Sequence, residues 1–125
     1  MEIAAWIAAG LIVVLTVFQL ALALGAPAGA AAWGGSHPGV LPTRLRVASG
    51  LVAVFFYPVV AIELLHSAGV IEFGWAVTPF WIWVLAGLFA LGALANFASR
   101  SKIERIWGPV SLAMAVCSGV IALGM

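Results

Sequence analysis

The sequence predicts an all-α polytopic membrane protein, a four-transmembrane-helix bundle, and three observations predict it. Of its residues 66% are hydrophobic and only 7% charged, against about 45–50% and about 25% in soluble domains. Nine charged side chains cannot cover a core of this size, so lipid must replace water over most of the surface. The mean hydropathy of +1.25 collects in four long runs, each near the ~20 residues that a helix needs to cross ~30 Å of hydrocarbon. Finally, all five Lys and Arg residues fall in alternate connections between those runs or at the span starts that follow them.

The first run covers residues 3–24 and is broken only by Thr16 and Gln19. Small residues near its end resemble a cleavage site. It is preceded by Glu2 rather than by Lys or Arg, however, and exceeds the ~7–15 apolar residues of a signal peptide, so it reads as a retained span. Residues 25–43 then form a long connection rich in Gly, Ala and Pro, with no charge before Arg44. The second span covers 46–66. It contains Pro58, which has no N–H to give and leaves the carbonyl of Val54 without its normal partner. Residues 67–78 form a shorter connection holding Glu72, and Pro79 suits the first turn of the third span, 79–97. The tight turn 98–104 places Ser101 and Glu104 at capping-box spacing, which makes Ser101 the expected N-cap of the fourth span, 105–123. The openings of the second and fourth spans echo one another weakly, as helix starts on one side of a membrane do, and a parallel repeat is the less favoured explanation.

Four spans put the first and third connections on one side. Arg44, Arg46, Arg100, Lys102 and Arg105 lie there, and because cytoplasmic loops retain Lys and Arg, the prediction is an N-out, C-out protein of the bacterial cytoplasmic membrane. Trp6, Trp33, Trp75, Trp81 and Trp107 fall near span ends, as interfacial aromatics do.

Several function classes are disfavoured. A net charge of +1 without a basic run offers nothing to nucleic acid. Cys117 is the only cysteine, which excludes an intrachain disulfide and a cysteine metal cluster; it reads as a small apolar residue. His37 and His66 fall on opposite sides of the membrane, so no metal or cofactor is expected. The chain also lacks a nucleophile–base pair, which argues against an enzyme.

Three groups of polar residues need explaining. Glu63 and His66 stand three apart on one helical face with Tyr57 on the same span, a candidate ion-coupling set. The blander reading puts them at the interface, because Glu63 lies about 25 Å along the helix from Arg46. Gln19 and Asn96 are intramembrane amides, which usually bond neighbouring helices for about 0.6 kcal/mol; facing each other, they would line a shallow polar vestibule. The glycines of the first connection, Gly34 and Gly35, beside His37, Arg44 and Arg46 and with Arg100, Lys102 and Arg105 on the same face, form a candidate site for an anion or anionic lipid headgroup. No phosphate-loop or dinucleotide fingerprint is present, and a plain connector with positive-inside charges is the competing reading. Small residues at Ala93, Ala113, Cys117, Ser118 and Gly119, with Gly87 and Gly92, would allow close helix approach.

The stretches Gly25-Ala26-Pro27-Ala28-Gly29, Trp33-Gly34-Gly35, Leu41-Pro42 and Arg44-Leu45-Arg46, with Asn96, Ser99-Arg100-Ser101, Glu104-Arg105, Trp107 and Pro109, resemble a family of short, uncharacterised bacterial four-span membrane proteins. The resemblance covers nearly the whole chain and implies no activity. Small multidrug-resistance transporters carry a membrane-embedded glutamate in the first span, and this first span holds none after Glu2. The glycine–arginine and asparagine pattern of fluoride channels does not map onto this chain either. Two functional expectations follow. One is a transporter or channel-like protein for a small ion or solute, acting as a homo-oligomer because so small a bundle has little interior. The other is a non-catalytic accessory or scaffold subunit that binds a partner membrane protein or anionic lipid through its basic face.

Overall fold

Long apolar runs have no side chains with which to satisfy their own backbone, and the helix is the arrangement that pairs every N–H and C=O locally. In the computed structural model, which describes residues 1–125, each run does so: α1 is Glu2–Ala23, α2 Thr43–Ser67, α3 Pro79–Phe97 and α4 Glu104–Gly124. All four are long and apolar enough to cross a membrane, and there is no strand. The bounds fall within a few residues of those read from hydropathy. Thr78 accepts the Trp81 N–H on its hydroxyl at 3.3 Å and caps α3, with Pro79 in the first turn.

Within α2 the chain widens at Val52–Phe56 into a π turn. The Tyr57 N–H reaches the carbonyl of Val52, five residues back. Pro58 follows directly; its ring would press on the carbonyl four residues earlier in a regular helix, and a widened turn relieves that contact.

The core runs through all four helices. Ala5, Ala8, Ile12 and Leu15 of α1 meet Val60 and Leu64 of α2, Ile82 and Leu85 of α3, and Met114, Cys117, Ile121 and Ala122 of α4. The α1 positions repeat at the three- and four-residue steps that keep one face toward a neighbour. α1 packs against α2 and α4, while α3 lies along α4. At Gly108 the two pack tightly: a Cβ there would stand 2.7 Å from the Phe97 ring.

The first connection is folded onto the bundle rather than trailing from it. Two 3₁₀ turns, Gly29–Ala31 and Trp33–Gly35, sit over a second small core in which Ala32 and Leu41 pack on Leu22 of α1. The Gly29 N–H donates to the Gly39 carbonyl at 2.8 Å and closes a loop on itself. A Cβ at Gly29 would fall 2.0 Å from the His37 carbonyl oxygen, so only glycine fits there. The turn before α4 also differs from the expected capping box. Ser101 does receive the Glu104 N–H, at 3.4 Å, but the Glu104 carboxylate does not reach back to Ser101. It turns instead toward the first connection, where a better donor awaits.

Candidate functional site

The first and third connections meet at the basic end of the bundle; three hydrogen bonds fasten the first to the third and to the start of α4, and a fourth ties it to α2. The Gly34 N–H donates to Glu104 Oε2 at 2.8 Å. The Trp107 indole N–H donates to the Ala31 carbonyl at 3.0 Å, and the Trp33 indole N–H to the Ser49 hydroxyl at 2.9 Å. Ser101 donates its hydroxyl proton to the Ala30 carbonyl. Reaching Glu104 takes unusual backbone: Trp33, Gly34 and Gly35 all have positive φ, at 50°, 80° and 72°. For Trp33 that conformation costs about 1–2 kcal/mol, which its own indole bond and the Gly34–Glu104 bond offset.

Beneath this cap lies a cavity of about 260 Å³, small beside the ~300–1,000 Å³ of sites for drug-sized molecules. Its polar lining comes from Gln19 of α1, Tyr57 of α2, Asn96 of α3, and Glu104 and Ser111 of α4. Its apolar lining includes the aromatic side chains of Phe18, Trp33, Phe89 and Trp107; the rings of Phe18 and Trp107 have centroids 4.6 Å apart and planes tilted by 41°. Asn96 donates to the Ser111 hydroxyl at 3.1 Å. Gln19 Oε1 is buried and has no partner, although a buried amide oxygen left unpaired costs about 1–3 kcal/mol. A shallow groove shares Trp33, Gly92, Asn96 and Glu104 with the cavity and leads to Ser99 and Arg100 at the surface. Glu104 is 6% exposed; its second oxygen, Oε1, makes no hydrogen bond within the protein.

The sequence-predicted residues divide among separate places. Gln19 and Asn96 share the cavity, and Tyr57 joins them there rather than Glu63 and His66. Glu63 accepts the Trp81 indole N–H at 2.8 Å. His66 Nδ1 accepts the Phe73 N–H at 3.1 Å, which leaves the ring proton on Nε2 and makes the Ile71 carbonyl, at 3.3 Å, a contact without a shared proton. Glu63 and His66 thus bond to different neighbours at the end opposite the cavity. Among the basic residues, Arg46 donates to the Ala23 carbonyl at 3.1 Å and so closes the end of α1, and Arg105 donates to the Ser99 carbonyl in the turn after α3 at 2.8 Å. Arg44, Arg100 and Lys102 are exposed. The Gly34 N–H faces Glu104, Gly35 packs on Ser101, and His37 is half-buried with Nδ1 unpartnered.

Sequence reasoning missed Glu104 as more than a capping residue, and with it Ser49, Ser111, Phe18, Phe89 and the indole of Trp107. One signal was available for Glu104: it is the only carboxylate at the end that carries all five cations. Comparison with protein families, with curated proteins and with solved structures finds no match.

Proposed function

We propose that the chain is a multi-pass protein of the cytoplasmic membrane that binds a small solute in the capped cavity and moves it across the bilayer, with the basic end inside. The observation that supports this most is the convergence of Gln19, Tyr57, Asn96, Ser111 and Glu104 on one cavity, with an amide oxygen there that nothing in the protein satisfies. Four helices each supply one or more of these groups, which a connector or a plain lipid anchor does not require. Beyond Leu15 the route is closed by the packed core. Passage therefore requires helix movement or a pathway shared between copies of a homo-oligomer, and the widened turn before Tyr57 is the natural place for α2 to bend. Glu63 and His66, at the far end, remain the ion-coupling pair of this reading.

Two measurements test it. Small polar solutes should raise the thermal stability of the purified protein, and Gln19→Leu or Asn96→Leu should abolish that shift; variants that respond like the wild type remove the cavity from the function. Proteoliposomes should discharge an imposed pH gradient faster than empty vesicles, and Glu63→Gln should slow them. An unchanged rate takes Glu63 out of the coupling role.

A second reading is favoured by one specific observation. Arg44, Arg100 and Lys102 are exposed and make no hydrogen bond to the protein, so they are free to hold anionic lipid headgroups or an acidic partner surface. Native mass spectrometry should then show anionic lipid retained by the wild type and lost when all three are neutralised.

A further inference from the structure

We infer that the solute is a small organic ammonium ion, a protonated amine on a compact apolar body, held by Glu104 and Gln19 inside the aromatic lining. This rests on the proposed role of the cavity and adds the chemistry of what fills it.

The argument starts from what the lining lacks. No Lys, Arg or His lines the cavity, although all five Lys and Arg residues belong to this end of the chain. Arg46 is turned onto the carbonyl at the end of α1 and Arg105 onto one in the turn after α3, and Arg100 stands exposed at the rim of the groove, where solvent screens it. The one charged group facing the interior is the Glu104 carboxylate. One of its oxygens is committed to Gly34 and the other is open. A buried carboxylate with a single N–H partner is under-compensated, and a cation is the partner that completes it.

A second group without a partner is also an acceptor. Gln19 Oε1 is buried and unpaired; an Asn96 amide N–H is taken by Ser111 and the two indole N–H groups by Ala31 and Ser49, so the other donors of the lining are the hydroxyls of Tyr57, beside Gln19, and Ser111. An anion would meet a carboxylate and an unpaired carbonyl. An ammonium group supplies N–H donors to both oxygens. The aromatic side chains of Phe18, Trp33, Phe89 and Trp107 in the lining supply apolar area for its body, and aromatic rings attract a cation where it meets their faces.

Cyclohexylammonium and cyclohexanol are matched in size and shape and differ in charge; cyclohexanecarboxylate carries the opposite charge. Binding to the purified protein is read from the fluorescence of the tryptophans, two of which line the cavity. The wild type should bind the ammonium about tenfold or more tightly than the alcohol, as expected for one desolvated charge-assisted hydrogen bond, and should bind the carboxylate least. Glu104→Gln keeps an acceptor for Gly34 and should remove the preference while the alcohol still binds. Equal binding of ammonium and alcohol, or a preference untouched by Glu104→Gln, overturns the inference and leaves a cavity for neutral solutes. Should that variant fail to fold, the order of the three probes on the wild type decides alone, and any order without ammonium first overturns it. Failure of every probe to bind overturns both this inference and the cavity's role. Nanodiscs of phosphatidylcholine and of phosphatidylethanolamine separate the sources: competition by the second lipid identifies a headgroup ammonium, and its absence a free amine.

Discussion

Glu104 illustrates how much one side chain decides at the basic end. Its carboxylate holds the Gly34 N–H, and through it a backbone stretch that is costly to hold at positive φ. Glu104→Ala should leave that N–H unpaired and destabilise the protein by about 1–3 kcal/mol. Hydrogen exchange at Gly34 and Gly35 should accelerate, whereas Glu104→Gln should change it far less; unchanged exchange in the alanine variant would show that the cap is held elsewhere. Gly29 is a second such residue. Gly29→Ala puts a methyl group against two backbone carbonyls, 2.0 Å from that of His37 and 2.7 Å from that of Gly39, and backbone has to move. A loss of about 1–3 kcal/mol or more is expected from that overpacking. Gly10→Ala is the control, since nothing lies within 4 Å of its Cβ: in a helix it should be neutral or stabilising by about 0.5–1 kcal/mol. Thermal unfolding in detergent separates the two. Neither effect was legible in the sequence. Glu104 reads locally as a capping residue because its competing donor lies 70 positions away, and every glycine of residues 25–39 reads alike until the chain is folded back on itself.

At the scale of elements, the helices were legible because length and hydropathy alone dictate them. The alternation of the connections followed from that count. The shape of the first connection was not, since a run of Gly, Ala and Pro has no periodicity from which to read a fold; its structure depends on Trp107, Ser101 and Glu104, all far away in sequence. The π turn of α2 lies between these cases. Pro58 announced a disturbance but not its form. If the widened turn exists to accommodate the proline ring, deleting the exposed Phe55 should force a regular helix against that ring and cost about 3 kcal/mol. Adding Pro58→Ala to the deletion should restore most of that stability, because Val60 and Leu64 keep their places in the core. A deletion that is no worse with Pro58 than without it would show that the turn is held by packing and not by the proline.

At the scale of the whole molecule, charge and shape are both polarised along the bundle axis. One end carries every Lys and Arg, and the other carries Glu2, Glu63 and Glu72. A membrane potential negative inside favours the arrangement with the cations inside by about 2.3 kcal/mol for each elementary charge moved through 100 mV, and retention of Lys and Arg during insertion favours it as well. The cavity opens through its groove toward that same basic end, so under the proposed function this orientation would also fix the side from which a solute reaches it. Single cysteines report the arrangement directly once buried Cys117 is replaced by alanine. Lys102→Cys should react with a membrane-impermeant maleimide only after cells are opened, and Glu72→Cys should react in intact cells. The reverse pattern would turn the molecule over, place the capped cavity outside, and make its occupant a solute drawn from the surroundings rather than from the cell.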